Sequence, residues 1–323
     1  MGIKVAKPPF ACHISRLGVG VNIFSVVKDE CRSLCTAGGF RKFTPEYSYG
    51  EQRVNTPYEI WHVDTGRVFA EYRSKNKKIF LGGSYSDLSA GETLPYLAYG
   101  LIEKQGQTRG QVTVHAAALT RNGRGVVLLG KACAGKTTLA LELCLRHRFK
   151  IVANDLSILE TRLDTLFAIG GTKHFFVRKG VVKKTHPQLL PYFPNKVEDD
   201  DWNTRTSILP VEIGVEVETE QVEVASVFLV RLDPSSAKGV EISQVNKQWA
   251  RLYLYENLSR YIRRTNLPIF AGSDEQYCLY PPDLDAPELH QKRVAMMEAL
   301  VSKMQHVSGG FRDVALNIAN TIA

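Results

Sequence analysis

Short runs in which apolar and polar residues alternate dominate the first third of the chain. This period of two is typical of strands that bury one face, and turn residues separate the runs. We therefore predict a small, mainly β N-terminal domain over residues 1–108. A helical repeat of Leu94, Leu97 and Leu101 closes it, before a polar, turn-rich boundary. Its strands are expected at 20–24, 58–63, 68–72 and 78–81.

Residues 109–323 show the mixed pattern of an α/β domain. The apolar run Val112–Leu119 predicts a buried strand. Arg121–Gly125 predicts a turn that joins it in a hairpin to the next strand, Val126–Leu129. A helix is then expected over Thr138–Arg146. Farther along, strands are expected at 149–152, 211–217 and 222–232, an irregular region at 165–210, and helices at 248–264, 287–306 and 311–322.

The stretch after Leu129 fits the pattern G-x-x-x-x-G-K-[ST] at every defined position. Glycines allow a tight loop whose backbone N–H groups face an anion, and the following helix points its positive end there. Lys136 can reach the β- and γ-phosphates of a nucleotide, and the Thr137 hydroxyl can bind Mg²⁺. The alternative is a glycine-rich strand–helix turn without a ligand. The candidate nucleotide-binding residues are Gly130, Lys131, Ala132, Cys133, Ala134, Gly135, Lys136, Thr137 and Thr138.

A second candidate lies one helix and one strand later, where Asn154 and Asp155 end the strand at 149–152. A carboxylate at this place can hold Mg²⁺ opposite Thr137, directly or through water. It can also accept the proton of an attacking hydroxyl. The alternative for a lone aspartate after a strand is a turn or a helix cap.

The charge balance indicates an anionic partner only weakly. The formal net charge is +8, but the basic residues are dispersed and no nucleic-acid motif accompanies them. A solvated basic face is the simplest interpretation, and no specific nucleic-acid partner is expected. No apolar run approaches a membrane span, and the first ten residues lack the apolar core of a signal peptide. These features favour a cytoplasmic protein without a membrane partner.

Six cysteines are scattered along the chain. The spacing Cys31-x-x-x-Cys35 has no matching second pair, so the pattern does not predict a zinc site. Cys133 lies inside the glycine-rich stretch, near a helix N-terminus that can lower a thiol pKa. It is interpreted either as a reactive thiol or as a small residue that fits a loop.

The segment Val114–Leu159 resembles the catalytic core of the HPr kinase/phosphorylase family. That core has a strand carrying a histidine, a turn, a phosphate loop, a helix, and a strand that ends in an acidic pair. The resemblance implies an α/β fold with a phosphate-loop kinase core of the HPr kinase/phosphoenolpyruvate carboxykinase type. It also implies ATP, Mg²⁺ and phosphoryl transfer to a hydroxyl, usually of serine in a protein or peptide. Ring-forming oligomers occur in the family, so a homo-oligomer is also an expectation.

Individual residues of this chain match positions that have known roles in the family. Gly130, Gly135, Lys136 and Thr137 match the phosphate loop, and Asp155 matches the second acidic residue, near the metal and the acceptor hydroxyl. His115 matches the strand histidine near the phosphates, although alone it would be a core histidine. The resemblance thus implies three catalytic residues and two metal ligands. They are Asp155, Lys136 and His115 for catalysis, and Thr137 and Asp155 for the metal.

Two departures separate the chain from the regulatory enzyme. Asn154 stands at the first acidic position, which removes a negative charge near the metal. No version of the regulatory signature follows the core, which argues against HPr as the substrate. The resemblance is to HPr-kinase-like proteins found in biosynthetic gene neighbourhoods rather than to the regulatory enzyme, so it implies a biosynthetic relative. An acidic run, Glu198–Asp201, can help to hold a metal or can simply stay hydrated.

The leading hypothesis is a kinase that acts on an alcohol. The acceptor is a serine of a peptide or protein, or a hydroxyl of a small metabolite such as a nucleoside or an amino acid. The alternative hypothesis is an ATP-binding regulatory or scaffolding protein without efficient transfer, which Asn154 favours.

Overall fold

The structure is a computed structural model that describes residues 6–36, 44–90, 93–194, 201–233, 239–263, 269–271, 277–279 and 283–322. Within these residues the chain is mixed α/β, as the sequence predicts, with helices and several β-sheets. Two compact units are present. The first comprises Met1–Val112 and Glu256–Val294, and the second Thr113–Tyr255 and Ala295–Ala323.

The strands are numbered in chain order. They are β1 Phe10–Arg16, β2 Val19–Ser25, β3 Ser48–Gly50, β4 Glu59–Val63, β5 Phe69–Arg73, β6 Lys78–Gly82, β7 Gln111–His115, β8 Ala117–Arg121, β9 Arg124–Leu129, β10 Lys150–Ala153, β11 Leu156–Arg162, β12 Thr165–Gly171, β13 Phe175–Arg178, β14 Arg205–Ile208, β15 Val222–Leu232, β16 Glu241–Gln244, β17 Ile269–Ala271, β18 Tyr277–Leu279 and β19 Met304–Gly309.

The α-helices are numbered in the same way. They are α1 Lys28–Thr36, α2 Tyr85–Ala90, α3 Thr93–Thr108, α4 Lys136–His147, α5 Lys179–Thr185, α6 Lys247–Arg263, α7 Pro287–Ser302 and α8 Phe311–Thr321. Short 3₁₀ helices occur at Ser74–Asn76, Pro187–Tyr192 and Pro210–Ile213. No helix in the described part of the chain combines the length and the apolar character needed to cross a bilayer.

The first unit contains a six-stranded sheet in the order β3-β1-β2-β4-β6-β5. β2 and β4 run parallel, as do β4 and β6, whereas β1 is antiparallel to β2 and β5 to β6. The aromatic rings of Phe24, Trp61 and Phe80 meet edge to face across these strands. The strands predicted at 20–24, 58–63, 68–72 and 78–81 are confirmed as β2, β4, β5 and β6.

The second unit is built on a sheet in the order β10-β8-β9-β15-β12-β11-β7, with β19 beside β15 and β16 beside β19. β15 runs parallel to both β9 and β19. β9 is buried on both faces, since Val126–Leu129 have no exposed surface, as expected for a parallel strand covered on both sides. Helices α4 and α8 cover this part of the sheet with their apolar faces.

The predicted hairpin is confirmed, because β8 and β9 pair antiparallel around Asn122–Gly123. The single strand predicted at Val112–Leu119 is wrong in one respect. It breaks at Ala116 into β7 and β8, which lie at different positions in the sheet. The break brings His115 to the end of a strand rather than the middle of one.

Three other predictions are wrong. Residues 165–210 hold β12, β13, α5 and β14 instead of an irregular region. The helix predicted at 287–306 ends at Ser302, because the next residues pair with β15 as β19. The strand predicted at 211–217 is replaced by a 3₁₀ turn that begins at Pro210 and ends at Gly214, whose φ is 68°. Proline lacks the N–H of a ladder and a left-handed glycine turns the chain, so the alternation there does not produce a strand.

Candidate functional site

The loop between β9 and α4, which we call the glycine loop, comprises Gly130–Gly135. The Ala134 N–H donates to the Lys131 carbonyl over 3.2 Å, which folds the loop back on itself. Cys133 at its tip is exposed and has a left-handed backbone with φ 63°. The loop therefore leads from the buried end of β9 through an exposed turn directly into a helix.

Both motif glycines are required by packing. A Cβ on Gly130 would lie 2.8 Å from the Val230 carbonyl oxygen. A Cβ on Gly135, whose φ is 95°, would lie 2.4 Å from a Leu232 methyl carbon. The Leu232 N–H also donates to the Ala134 carbonyl over 3.0 Å. The glycine loop thus packs against the carboxyl end of β15, where any side chain larger than the hydrogen of glycine would clash.

Lys136 is the first residue of α4 and turns back into the glycine loop. Its side chain is largely buried, and its Nζ lies 2.8 Å from the Gly130 carbonyl oxygen and 3.2 Å from that of Lys131. Thr137 and Thr138 follow in the first helical turn and are half-buried. A positive charge and the N-terminal end of a helix therefore coincide at this loop.

The buried face of α4 is fixed by a hydrogen bond between two buried side chains. Glu142 accepts a hydrogen bond from His186 Nε2 over 3.0 Å, and both side chains are buried. Burial lowers the pKa of His186, since desolvation disfavours the imidazolium, while the Glu142 carboxylate opposes the shift. This contact positions the helix that begins at the glycine loop.

One contact with the glycine loop escaped the sequence analysis. The Gly130 N–H donates to the Tyr253 hydroxyl over 3.2 Å, from the middle of α6. The Tyr253 ring stacks on Trp249, with centroids 5.3 Å apart and planes inclined by 3°. No local spacing signals this contact, because it joins elements far apart in the sequence.

Asp155 follows the carboxyl end of β10. β10 is antiparallel to β8 and β8 is antiparallel to β9, so β10 and β9 point in the same direction. Their carboxyl ends therefore lie at one edge of the sheet, with β8 between them. Two strand spacings place them about 10 Å apart. Asp155 and the glycine loop thus belong to the same edge.

The structure brings His115 and Asp155 together. His115 Nε2 lies 3.1 Å from Asp155 Oδ1, with the two side chains 25% and 37% exposed. The Ala116 N–H donates to the Asp155 carbonyl over 3.1 Å, so the backbones also meet. Asp155 has φ 72°, a left-handed conformation that aspartate tolerates better than most residues.

Asn154 faces the opposite way from its neighbour. It is 1% exposed, and its Nδ2 donates to the His174 carbonyl over 2.8 Å. Its backbone N–H donates to the Thr172 carbonyl over 2.8 Å. Its Oδ1 is buried and makes no hydrogen bond with the described residues. An aspartate here would set a carboxylate oxygen against the His174 carbonyl, so the amide fits this packing where an acid would not.

Acidic and basic side chains that follow β13 form ion pairs with each other. Asp201 pairs with Lys183 and with Lys179, and these contacts lower the pKa of its carboxyl group. The remainder of the acidic run, Glu198–Asp200, lies outside the described residues.

No family model matches the chain, and no curated protein matches it either. Among solved structures, the chain is similar to the HPr(Ser) kinase/phosphatase from Coxiella burnetii. The two are 18% identical with a TM-score of 0.24, over 41% of this chain and 77% of that chain. Similarity of this size does not establish a common fold or activity.

Proposed function

We propose that this protein is an ATP- and Mg²⁺-dependent kinase that transfers the γ-phosphoryl group to an alcohol. The acceptor would be a serine of a peptide or protein, or a hydroxyl of a small metabolite such as a nucleoside or an amino acid, in a biosynthetic pathway. The observation that carries the proposal is the glycine loop. It holds the Lys136 ammonium against two of its carbonyls, at the sheet edge that also carries Asp155.

Polyphosphate binding follows from the chemistry of this loop. The exposed residues 131–133 lie next to the N-terminus of α4, which favours an anion. The Lys136 ammonium adds a full positive charge at the same place and would balance negative charge that develops on the transferred group. Gly130 and Gly135 let the loop pack against β15, which fixes its backbone, and a fixed loop backbone of this kind would suit contacts with phosphate oxygens.

The oxygen ligands suited to Mg²⁺ are the Thr137 hydroxyl and the Asp155 carboxylate. Mg²⁺, when bound, would neutralise charge on the β- and γ-phosphate oxygens. Hydroxyl and carboxylate oxygens are the donors that this ion prefers, so the residues present fit it.

Asp155 would also accept the proton of the attacking hydroxyl. Its carboxylate is partly exposed, which a group that meets an acceptor requires. His115 contacts one carboxylate oxygen and would fix its orientation. His115 is thus a positioning residue, while Lys136 and Asp155 would meet the phosphate and the acceptor.

The test is incubation with γ-labelled ATP, Mg²⁺ and a panel of alcohol acceptors, read as label in the product and as its mass shift. We expect transfer to at least one hydroxyl class, and its loss in Lys136→Ala. Lys150→Ala is the matched control, because Lys150 lies in the same unit and forms only a surface ion pair with Glu216. Transfer that persists in Lys136→Ala would remove the glycine loop from the mechanism.

The second candidate is an ATP-binding protein without efficient transfer. Asn154 favours it, since its side chain is buried against His174 and supplies no carboxylate. Saturable ATP binding with no phosphorylated product across the panel would support this candidate against the kinase.

A further inference from the structure

Three cysteines meet in the first unit, away from the glycine loop. Cys12 lies on β1, and Cys31 and Cys35 lie on α1. Their sulfur atoms all lie within 4.8 Å of one another. The three side chains are 0%, 2% and 0% exposed, and all are free thiols.

The local structure aims all three thiols at one point. Cys31 and Cys35 are four residues apart on a helix, so they share a face. The β1–β2 register shifts between Phe10 and Cys12, an irregularity of the kind that re-aims a side chain. Arg32 Nε donates to the Ala11 carbonyl over 3.0 Å, which ties α1 to β1 beside the cluster.

We propose that Cys12, Cys31 and Cys35 together bind one thiophilic d¹⁰ metal ion, Zn²⁺ or Cu⁺, as thiolates. Soft thiolate ligands select these two ions. Zn–S bonds of about 2.3 Å correspond to sulfur separations of about 3.8 Å, so the observed cluster needs only a small contraction around an ion. Cysteine spacing does not reveal the site, because Cys12 comes from a strand, outside any cysteine spacing pattern.

Among the described residues, no histidine, aspartate or glutamate joins the cluster. The neighbouring segment 37–43 contains none of these residue types in its sequence. Cu⁺ is satisfied by three thiolates, whereas Zn²⁺ takes a fourth ligand such as water.

Ion binding would displace the thiol protons to solvent, one for each S–metal bond that forms.

The test uses the reduced, full-length protein. Zn²⁺ is titrated in competition with a chromophoric chelator, and Cu⁺ anaerobically in competition with a Cu⁺-specific chelator. Co²⁺ substitution then reports thiolate ligation through its sulfur-to-metal charge-transfer band. We expect roughly one equivalent of Zn²⁺ or Cu⁺ per chain and a thiolate band. The ion that the protein takes from its chelator is identified as the ion of the site.

Variants locate the site. Cys31→Ser should lower the affinity at least about tenfold and weaken the thiolate band, because one of three ligands is lost. Cys144→Ala is the matched control, since Cys144 is another buried thiol but lies on α4, outside the cluster. The metal affinity of Cys144→Ala should equal that of the unaltered protein. A wild-type protein that competes for neither ion, or that holds a disulfide between two of the three cysteines after purification under reductant, would overturn the proposal without any variant.

Discussion

His115 Nε2 lies 3.1 Å from Asp155 Oδ1, although His115 ends β7 and Asp155 lies between β10 and β11. The pair forms because β7 ends at His115, and the chain passes through Ala116 before β8 begins. Ser157 strengthens this junction, since its Oγ donates to the Ala116 carbonyl over 2.9 Å. The carboxylate is thereby held by both its backbone and a side-chain partner at the sheet edge that carries the glycine loop.

Asp155→Asn should reduce phosphoryl transfer by about 10²–10⁴-fold, because the amide cannot accept a proton from the hydroxyl. Overall stability should change little, since the side chain is partly exposed. Asp164→Asn is the matched control. Asp164 also has a left-handed backbone, with φ 65°, but lies in the exposed β11–β12 turn. Equal turnover of the two variants would exclude Asp155 from the reaction.

Gly135→Ala should lower the free energy of unfolding by about 2 kcal/mol and weaken ATP binding. The new methyl group would meet Leu232 at 2.4 Å with φ at 95°, so the loop must move away from β15. Urea unfolding and nucleotide titration measure the two effects. Gly239→Ala is the control, because its Cβ would meet nothing within 4 Å. Unchanged ATP binding in Gly135→Ala would contradict a role of the loop's close packing.

Stability should fall as the pH drops below about 6.5, the ordinary pKa of histidine. Burial lowers the pKa of His186 in the folded protein, and the Arg146 and Arg312 charges act in the same direction, against Glu142. The unfolded chain therefore binds the proton first. The contribution is fully present above the unfolded pKa and is lost as the pH falls toward the lower folded value. Urea unfolding across this range should give a shallower pH dependence in His186→Gln, and parallel profiles would refute this assignment.

Arg293→Met should cost about 3 kcal/mol of unfolding free energy. The buried guanidinium donates to the partly buried Asp285 carboxylate over 2.7 Å and to the buried Gln107 side chain over 2.8 Å, so its loss takes a charged donor away from both. Arg251→Met is the matched control. Its bidentate pair with Glu298 lies at the surface, where solvent screens the charges, so its loss should lower the unfolding free energy much less. Similar losses in the two variants would show that the Arg293 network adds no more than a surface pair.

Features that lie within one continuous stretch could be predicted from the sequence. The β8–β9 hairpin, the strand β9 and the helix α4 follow from turn chemistry and periodicity close to each residue. The alternation of apolar and polar residues around Val211 wrongly predicted a strand, because Pro210 and Gly214 fix a turn there. Periodicity describes what a strand would bury but does not decide whether a partner strand is within reach.

The arrangement of the candidate site depended on contacts that spacing does not encode. The sequence identified His115 and Asp155 separately, the histidine only through resemblance, and it contained no signal that they pair. The Tyr253 contact with Gly130 comes from a helix more distant in the chain. The burial of Asn154 likewise depends on its hydrogen bond to His174. His174 lies in the region 165–210, which the sequence pattern predicted to be irregular.

The most direct measurement is calorimetric titration of the full-length protein with ATP in the presence of Mg²⁺, compared with Lys136→Ala. We expect one saturable site in the unaltered protein and at least about tenfold weaker binding in the variant, because in the proposed function the ammonium inside the glycine loop would contact the polyphosphate. Absence of binding in the unaltered protein, or equal affinity in the two proteins, would contradict the proposal that this loop is a nucleotide site.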